Sequence, residues 1–317
     1  MTDAQRRRVV AVVVAYNRRD LLVEALDALA AQTVPLDAVV VLDNASDDGS
    51  ADAAARSSAQ PDVVRLTRNT GGAGGFAAGL AVALDRHEPD WVWLMDDDTI
   101  PTPTALAELL AAVRQPGVVL AGSRVVWTDG HDHPMNTPRP KPLVSRREAA
   151  DAARRGAVPV RSSSFVSMLV AADRVRQVGL PIAEYFIWND DFEYSTRLLR
   201  GARGLFVPSS VVVHKTRARA DTDVDPGPRF FYEVRNKAWL LTRSRGLGPL
   251  ERLLYGGSTL RRWVRTVARS RSRGSLLAQL RRGLADGLRL APRPNAVVLA
   301  GLGEVTEAVA RLDRRRP

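Results

Sequence analysis

Cysteine is missing altogether from the 317 residues. Its absence excludes disulfides, thiolate-bound zinc and a thiol nucleophile, and it fits a reducing compartment such as the cytoplasm. Long apolar runs are missing too. No stretch approaches the roughly 20 apolar residues of a membrane-spanning helix. The start, Met1 to Arg8, is basic and Val9 to Ala15 is apolar. This resembles a signal peptide only superficially, because Tyr16-Asn17-Arg18-Arg19-Asp20 stands where a small-residue cleavage site belongs. The stretch reads as a buried first strand. The C-terminal end lacks lysine. From Arg245 to Pro317 sixteen arginines face five acids: Glu251, Asp286, Glu304, Glu307 and Asp313. That end therefore carries the entire net charge of +11, and the rest of the chain nets to zero. Basic segments bind anionic surfaces, either nucleic acid or lipid headgroups. Nothing in the neutral body looks like a base-reading module, so the expected partner is an anionic membrane and no nucleic acid; a basic helical pair that packs on the body or forms a dimer is the plainer alternative.

A hydrophobic content of 45% allows one sizeable core with an appendage, or two small domains. Strand and helix patterns alternate from the start. Val9 to Ala15 reads as a strand buried on both faces. Asp20 is placed to cap the helical spacing of Leu21, Leu22, Ala25, Leu26, Leu29 and Ala30. Val39-Val40-Val41-Leu42 predicts a second strand, Val63-Val64-Arg65-Leu66 a third, and Trp91-Val92-Trp93-Leu94-Met95 a fourth. The glycine-rich Asn69 to Gly79 precedes a helix read from Ala77 to Asp85. Such alternation predicts an α/β fold, a mostly parallel sheet with flanking helices. Ligands bind such sheets at the carboxyl ends of the strands, where Asp43 and Asp96-Asp97-Asp98 fall. Beyond these, Thr128 to Leu143 reads as a long loop, Phe165 to Ala171 as a strand, and Val207 to His214 as another. The basic end shows leucines at helical spacing beside arginines: Leu253, Leu254, Leu260, Trp263, Val264 and Val267, then Leu276, Leu277, Leu280, Leu284 and Leu288. The expected division is a catalytic domain over 1–242 and a basic amphipathic helical region over 243–317.

Three groups of residues carry chemistry. Asp96-Asp97-Asp98 places three repelling carboxylates at a strand end. A hard divalent cation with oxygen ligands would relieve them and could hold a diphosphate; a solvated acidic turn capping the helix near Thr104 is the plainer alternative. His214, ending an apolar strand, could complete that site with Asp98. Asp190-Asp191 lies among Tyr185, Phe186, Trp188 and Tyr194. Rings stack on sugars and a carboxylate can accept a hydroxyl proton, although acids also stabilise a helix N-terminus. Gly72-Ala73-Gly74-Gly75-Phe76-Ala77 fits the G-x-G-x-x-A fingerprint of a dinucleotide-binding oxidoreductase. The order is wrong for that reading, because no glycine follows the first strand and Asp43 precedes the glycines.

Taken in order, these pieces resemble the family 2 glycosyltransferases, which have the GT-A fold. The resemblance runs from about Val9 to Leu241. Val12-Val13-Val14-Ala15-Tyr16-Asn17-Arg18 looks like the opening strand and nucleotide loop. Asp43-Asn44-Ala45-Ser46-Asp47-Asp48-Gly49-Ser50 looks like the second signature, and Asp96-Asp97-Asp98 like the D-x-D element. Asp190-Asp191 looks like the acidic pair whose second member is the base. Asn69-Thr70-Gly71-Gly72-Ala73-Gly74-Gly75-Phe76 is most similar to actinobacterial cell-wall galactofuranosyltransferases, as is Arg229-Phe230-Phe231-Tyr232-Glu233-Val234-Arg235-Asn236. Ser163-Ser164-Phe165 departs from the tryptophan pair of the galactan-elongating members.

The resemblance implies an inverting, metal-dependent transfer of galactofuranose from UDP-galactofuranose to a polyprenyl-diphosphate-linked or cell-wall glycan acceptor. A dTDP-rhamnose-dependent transferase is the alternative. Asp191 would be the base, with Asp190 beside it. Asp96, Asp98 and His214 would hold Mg²⁺ or Mn²⁺. Ala15, Tyr16, Asn17, Arg18, Asp43, Arg68, Asn69, Gly72, Gly74, Gly75, Asp96 and Asp97 would contact the nucleotide-sugar. The implied location is cytoplasmic, peripheral at the inner face of the plasma membrane.

Overall fold

The computed structural model describes residues 7–216 and 225–314. Met1 to Arg6 of the basic start and Arg315 to Pro317 of the basic end lie outside the described residues. The first half alternates as its hydrophobic pattern predicts: β1 (Val9–Ala15), α1 (Arg19–Ala30), β2 (Ala38–Asp43), α2 (Ser50–Ala55), β3 (Asp62–Arg65), α3 (Gly71–Arg86) and β4 (Trp91–Asp96). These strands run parallel in the order β3-β2-β1-β4. In register, Ala15 pairs with Asp43 and Val14 with Asp96, so the signature residues share one edge of the sheet. All of β1 is buried because both its faces are covered. Val10, Val12 and Val14 share a core with α3, while Val9, Ala11, Val13 and Ala15 share one with Leu22, Leu26 and Leu29 of α1. Asp20 lies within the first turn of α1 and caps nothing; Arg18 holds the cap position.

The glycine-rich run is not a loop. α3 begins at Gly71 rather than at Ala77, so the run forms its first turns. Each interior glycine costs a helix about 1 kcal/mol relative to alanine, and packing explains why they stay. A Cβ on Gly75 would lie 2.5 Å from Val14 Cγ1, and one on Gly79 2.5 Å from Val12 Cγ1. The glycines let α3 lie directly on β1.

The chain continues through β5 (Thr99–Pro101), α4 (Ala105–Ala112), β6 (Val118–Val126), β7 (Arg139–Pro140), α5 (Arg146–Ala153), β8 (Val158–Ser162), β9 (Met168–Ala171), α6 (Ala172–Val178), α7 (Asp190–Leu198) and β10 (Arg203–His214). The ten-stranded sheet has the order β3-β2-β1-β4-β9-β6-β10-β8-β7, with β5 on β10. Parallel pairing covers the first four strands and β6–β10, whereas β9 runs antiparallel between β4 and β6. β9 is entered through a single 3₁₀ turn at Phe165–Ser167, without the crossover helix that a parallel neighbour requires. β5 matters for the site. It pairs Thr99 with His214, and Lys215 N donates to the Asp98 carbonyl at 2.8 Å. A histidine distant in sequence is thereby fixed beside the acidic triple.

The last helices are α8 (Phe230–Thr242), α9 (Pro249–Arg269), α10 (Arg273–Arg289), α11 (Asn295–Val298) and α12 (Glu304–Arg314). Residue 242 closes α8, and the chain beyond it returns to the body. α10 lies on α8 through Gly283 and Gly287, where a Cβ would meet Val234 Cβ at 2.8 Å and Ala238 Cβ at 2.5 Å. Leu299, Leu302, Val305, Ala308 and Val309 join the core that holds α3 and β1. On α9, by contrast, Leu250, Leu253, Leu254, Leu260 and Val264 stay between 59% and 73% exposed, a stripe at helical spacing. Among the described residues no helix is long and apolar enough to cross a membrane.

Candidate active site

The acidic triple occupies the turn from β4 to β5. Asp98 is fully buried. Its Oδ2 accepts from the Arg18 guanidinium, while its Oδ1 has no hydrogen-bond partner and stands 3.1 Å from His214 Nε2. His214 Nδ1 faces Asn136 Oδ1 at 3.0 Å. The amide orientation is set by Asn136 Nδ2 donating to Ser164 Oγ at 3.1 Å. An amide oxygen only accepts, so Nδ1 carries a proton, and in the neutral ring Nε2 turns its lone pair toward Asp98 Oδ1. Two acceptors facing each other in a buried place call for positive charge between them, supplied either by a second proton on the imidazole or by a bound cation. Asp96, Asp98 and His214 each offer a ligand atom, and all of these lie within 4.8 Å of one another. Two oxygens and one imidazole suit Mg²⁺ or Mn²⁺, and the Asn136 contact is the outer support that metal-bound histidines ordinarily have. Burial, then the charge of Asp98, pushes Asp96 up to about 6. Burial also acts on Asp98, but His214 and Arg18 outweigh it and hold that carboxyl below its ordinary value.

The first two signatures are laced together at the same sheet edge. Asp97, buried, accepts from Tyr16 N at 2.8 Å and meets Arg18 at 3.4 Å, and burial pushes it up to about 7. Asn17, at φ +53°, donates from its backbone to Ser46 Oγ at 3.0 Å and accepts from Asp47 N at 2.9 Å. Asp43 is buried, and Ser46 N lies 3.4 Å from both its oxygens. Asn44 clamps the start of α3 through Thr70 N and the Gly71 carbonyl. Tyr16 is left 45% exposed at the rim, an available ring for a base or ribose.

Asp190 and Asp191 open α7, both half-buried. The segment before them is strained. Phe186, Trp188 and Asn189 all have φ between +64° and +66°, costly for residues with side chains. α8 holds that shape. The two N–H groups of Asn236 Nδ2 are shared among the carbonyls of Tyr185, Ile187 and Trp188, each 2.9 Å away, and Arg235 reaches the Glu184 carbonyl at 2.6 Å. The Arg229–Asn236 segment is thus a clamp for the acidic pair. Burial, then Asp191, pushes Asp190 well above the carboxylate range. Burial also raises Asp191, against hydrogen bonds from Phe192 N and Ser164 and the charges of Lys237 and Arg139. Asp190 feels the charge of Asp96, and Asp96 that of Asp191, so the cation site and the acidic pair are electrostatic neighbours.

Several expected contacts are placed elsewhere. Arg68 donates to the carbonyls of Val298 and Ala300 at 2.9 and 3.0 Å, so it anchors the end of α11. Gly74 and Gly75 face Thr70 and Val14 and serve helix packing; Gly72 alone of that trio has open space. Asn69 caps Gly71 N at 2.7 Å. Phe76 is buried against Phe165, their centroids 4.4 Å apart. Tyr185 is likewise core, against Trp239. Sequence reasoning missed the roles of Asn136, Ser164, Arg139 and Lys237. Asn136 and Arg139 lie in the long aperiodic loop, where spacing carries no signal. Ser164 and Lys237 gain roles only through residues distant in sequence.

Carboxylates and an imidazole able to hold a cation, beside a carboxylate of raised pKa at the carboxyl edge of parallel strands, fit group transfer from an anionic, activated donor. Comparison with known proteins agrees. Residues 10–176 match the family described as Glycosyl transferase family 2, and the chain belongs to that family. It is 32% identical over 256 residues to the galactofuranosyltransferase GlfT1 of Mycobacterium tuberculosis, covering 74% of this chain and 82% of that one. It is 36% identical over 121 residues to an undecaprenyl-phosphate mannosyltransferase of Micrococcus luteus, covering 37% and 49%. Among solved structures, Staphylococcus aureus TarS 1–349 with UDP superposes with a TM-score of 0.61 at 16% identity, over 97% and 87% of the chains. The mannosyltransferase PcManGT of Pyrobaculum calidifontis with GDP-mannose and Mn²⁺ gives 0.56 at 19%, over 98% and 86%. The fold is that of the GT-A glycosyltransferases, and the chain is a glycosyltransferase.

Proposed function

We propose that the protein transfers galactofuranose from UDP-galactofuranose, with inversion, to a hydroxyl of a lipid-linked glycan at the inner membrane face. The likeness to GlfT1 over most of both chains supports the donor; the buried glycines and Phe76 do not, because they pack the core. The observation that carries the mechanism is the grouping of Asp96, Asp98 and His214, with Asp98 Oδ1 lacking a hydrogen-bond partner 3.1 Å from His214 Nε2. Asp96, Asp98 and His214 would hold Mg²⁺ or Mn²⁺, which when bound supplies positive charge to a departing diphosphate. Asp97 holds the loop of Tyr16 and Arg18 against the sheet edge, where the nucleotide would lie. Asp191 takes the proton of the acceptor hydroxyl as that oxygen attacks the anomeric carbon. The bond from that carbon to the phosphate oxygen breaks in the same displacement, UDP departs, and configuration inverts without a glycosyl-enzyme intermediate. Burial keeps Asp191 more basic than a solvated carboxylate, which favours proton uptake. The exposed leucines of α9, with Arg261 on the same helix, suit an anionic bilayer.

The test is transfer from UDP-galactofuranose and from dTDP-rhamnose to a membrane extract, with Mn²⁺ or with EDTA. Transfer from the first donor, lost in EDTA and in Asp98→Ala, is expected. Transfer from dTDP-rhamnose alone would move the assignment to a rhamnosyltransferase, and full activity in EDTA would refute the cation site.

A further inference from the structure

Two cations beside the acidic pair bear on Asp191 only through their charge and have no contact assigned to them in that chemistry. Lys237 of α8 is only 5% exposed, yet among the described residues its ammonium makes no hydrogen bond and no ion pair. Nζ lies 4.7 Å from the centroid of Phe192. The Arg139 guanidinium lies 5.0 Å from the same ring and 5.6 Å from that of Tyr255, also without an acid partner among the described residues. The neighbouring acids are committed. Glu233 accepts from Asn189 at 2.7 Å, from Arg262 and from Trp263 at 3.4 Å. Asp191 accepts from Phe192 N at 2.6 Å and from Ser164. Burial lowers Lys237 to about 8, with Glu233 and Asp191 pulling it up and Arg262 and Arg139 pushing it down, so it remains mostly charged at neutral pH. A mostly buried ammonium with no hydrogen-bonded anion, whose tip still borders solvent, is open to an anionic ligand.

We infer that Lys237 and Arg139 form a subsite for a phosphate group carried by the acceptor. This rests on the transferase reading and extends it. The donor diphosphate has its own countercharge at Asp96, Asp98 and His214, whereas these cations adjoin Asp191, the group that meets the acceptor hydroxyl. Arg139 is exposed at the rim, and Tyr255, partly buried against Phe192, is preceded along α9 by the exposed Leu253 and Leu254 of its uncovered stripe. A phosphate at the cations therefore leaves an attached lipid chain next to an apolar face. The ligand class is a phosphate or diphosphate ester of a lipid alcohol. Two cationic hydrogen-bond donors suit its geometry.

The full chain, saturated with UDP and Mg²⁺ so that the donor site is filled, is titrated with farnesyl diphosphate, farnesol and inorganic pyrophosphate. Farnesyl diphosphate should bind, inorganic pyrophosphate should compete with it, and farnesol should bind far more weakly. Lys237→Met and Arg139→Gln should each raise the farnesyl diphosphate Kd by about tenfold or more, the scale of a charged hydrogen bond. Their UDP affinity should stay as in the wild type, which shows that the variants fold. Arg139→Gln alters an exposed side chain, so it tests the site even if the buried replacement disturbs packing. Unchanged farnesyl diphosphate binding in both variants, or farnesol binding as tightly as the diphosphate, would overturn the inference. Reduced flotation of the variants on phosphatidylglycerol vesicles with unchanged farnesyl diphosphate binding would assign the cations to bulk lipid and overturn it too. Failure of the wild type to bind UDP is a separate result, which would strike the transferase reading beneath.

Discussion

Replacing Asn136 by alanine tests how this fold prepares a cation site. Asn136 Oδ1 accepts from His214 Nδ1 at 3.0 Å, and its amide nitrogen donates to Ser164 at 3.1 Å. The loss has two components. A neutral hydrogen bond contributes about 1 kcal/mol, roughly fivefold in affinity. The second component is the tautomer. Without Asn136 the ring can carry its proton on Nε2, 3.1 Å from Asp98 Oδ1, and make there a hydrogen bond that competes with a cation. Support residues of this kind are worth about 10–100-fold in metal affinity. The expectation for Asn136→Ala is a Mn²⁺ Kd raised by about tenfold or more on that scale. Asn136→Asp keeps an acceptor for Nδ1–H and should hold wild-type affinity or exceed it. Free Mn²⁺ followed by electron paramagnetic resonance, at fixed UDP, measures both. Saturating Mn²⁺ should restore most of kcat in Asn136→Ala, because Asp191 keeps its Ser164 and Phe192 contacts. A Mn²⁺ Kd within about twofold of wild type, well below that range, would refute the reasoning, as would a kcat that excess metal leaves depressed.

Other outcomes rest on the same geometry. Asp191→Asn should leave UDP affinity near wild type and lower kcat by at least about 10²-fold, the lower end of general-base contributions; wild-type turnover would remove the role. Asp191 acts as its carboxylate, and burial raises its pKa against the pull of Lys237. The acid limb of kcat should therefore lie above the ordinary carboxylate range and move further up in Lys237→Met, and a downward move would contradict the sign. Gly75→Val should destabilise the fold by about 1–3 kcal/mol through overpacking against Val14, read as a lower Tm with α3 helicity retained. Leu253→Asp with Leu254→Asp should abolish flotation on phosphatidylglycerol vesicles at low salt and leave UDP binding intact; unchanged flotation would clear α9 of that role.

The parallel half of the fold was legible because it depends on local pattern. The run Val9–Ala15 has to be covered on both faces, and strand–helix alternation leaves few other ways to do it. The acids at strand ends were legible for the same reason, since parallel strands bring Ala15, Asp43 and Asp96 to a common edge whatever happens later in the chain. The glycine run misleads. Glycine's local preference argues for a loop, and only contact with Val12 and Val14 makes it the packing face of a helix. The pairing of His214 with Asp98 was legible as a candidate, but only the register of β5 on β10 brings the two into contact. Tertiary structure also decided that Asn136 fixes the imidazole and that Asn236 holds Phe186 to Asn189 in their positive-φ turn. Finally, it parted the basic end into α10 and α12, which return to the core, and α9, which keeps its leucines outside. Helical spacing shows that an apolar face exists; what covers that face depends on surfaces contributed by the rest of the chain, which no local pattern contains.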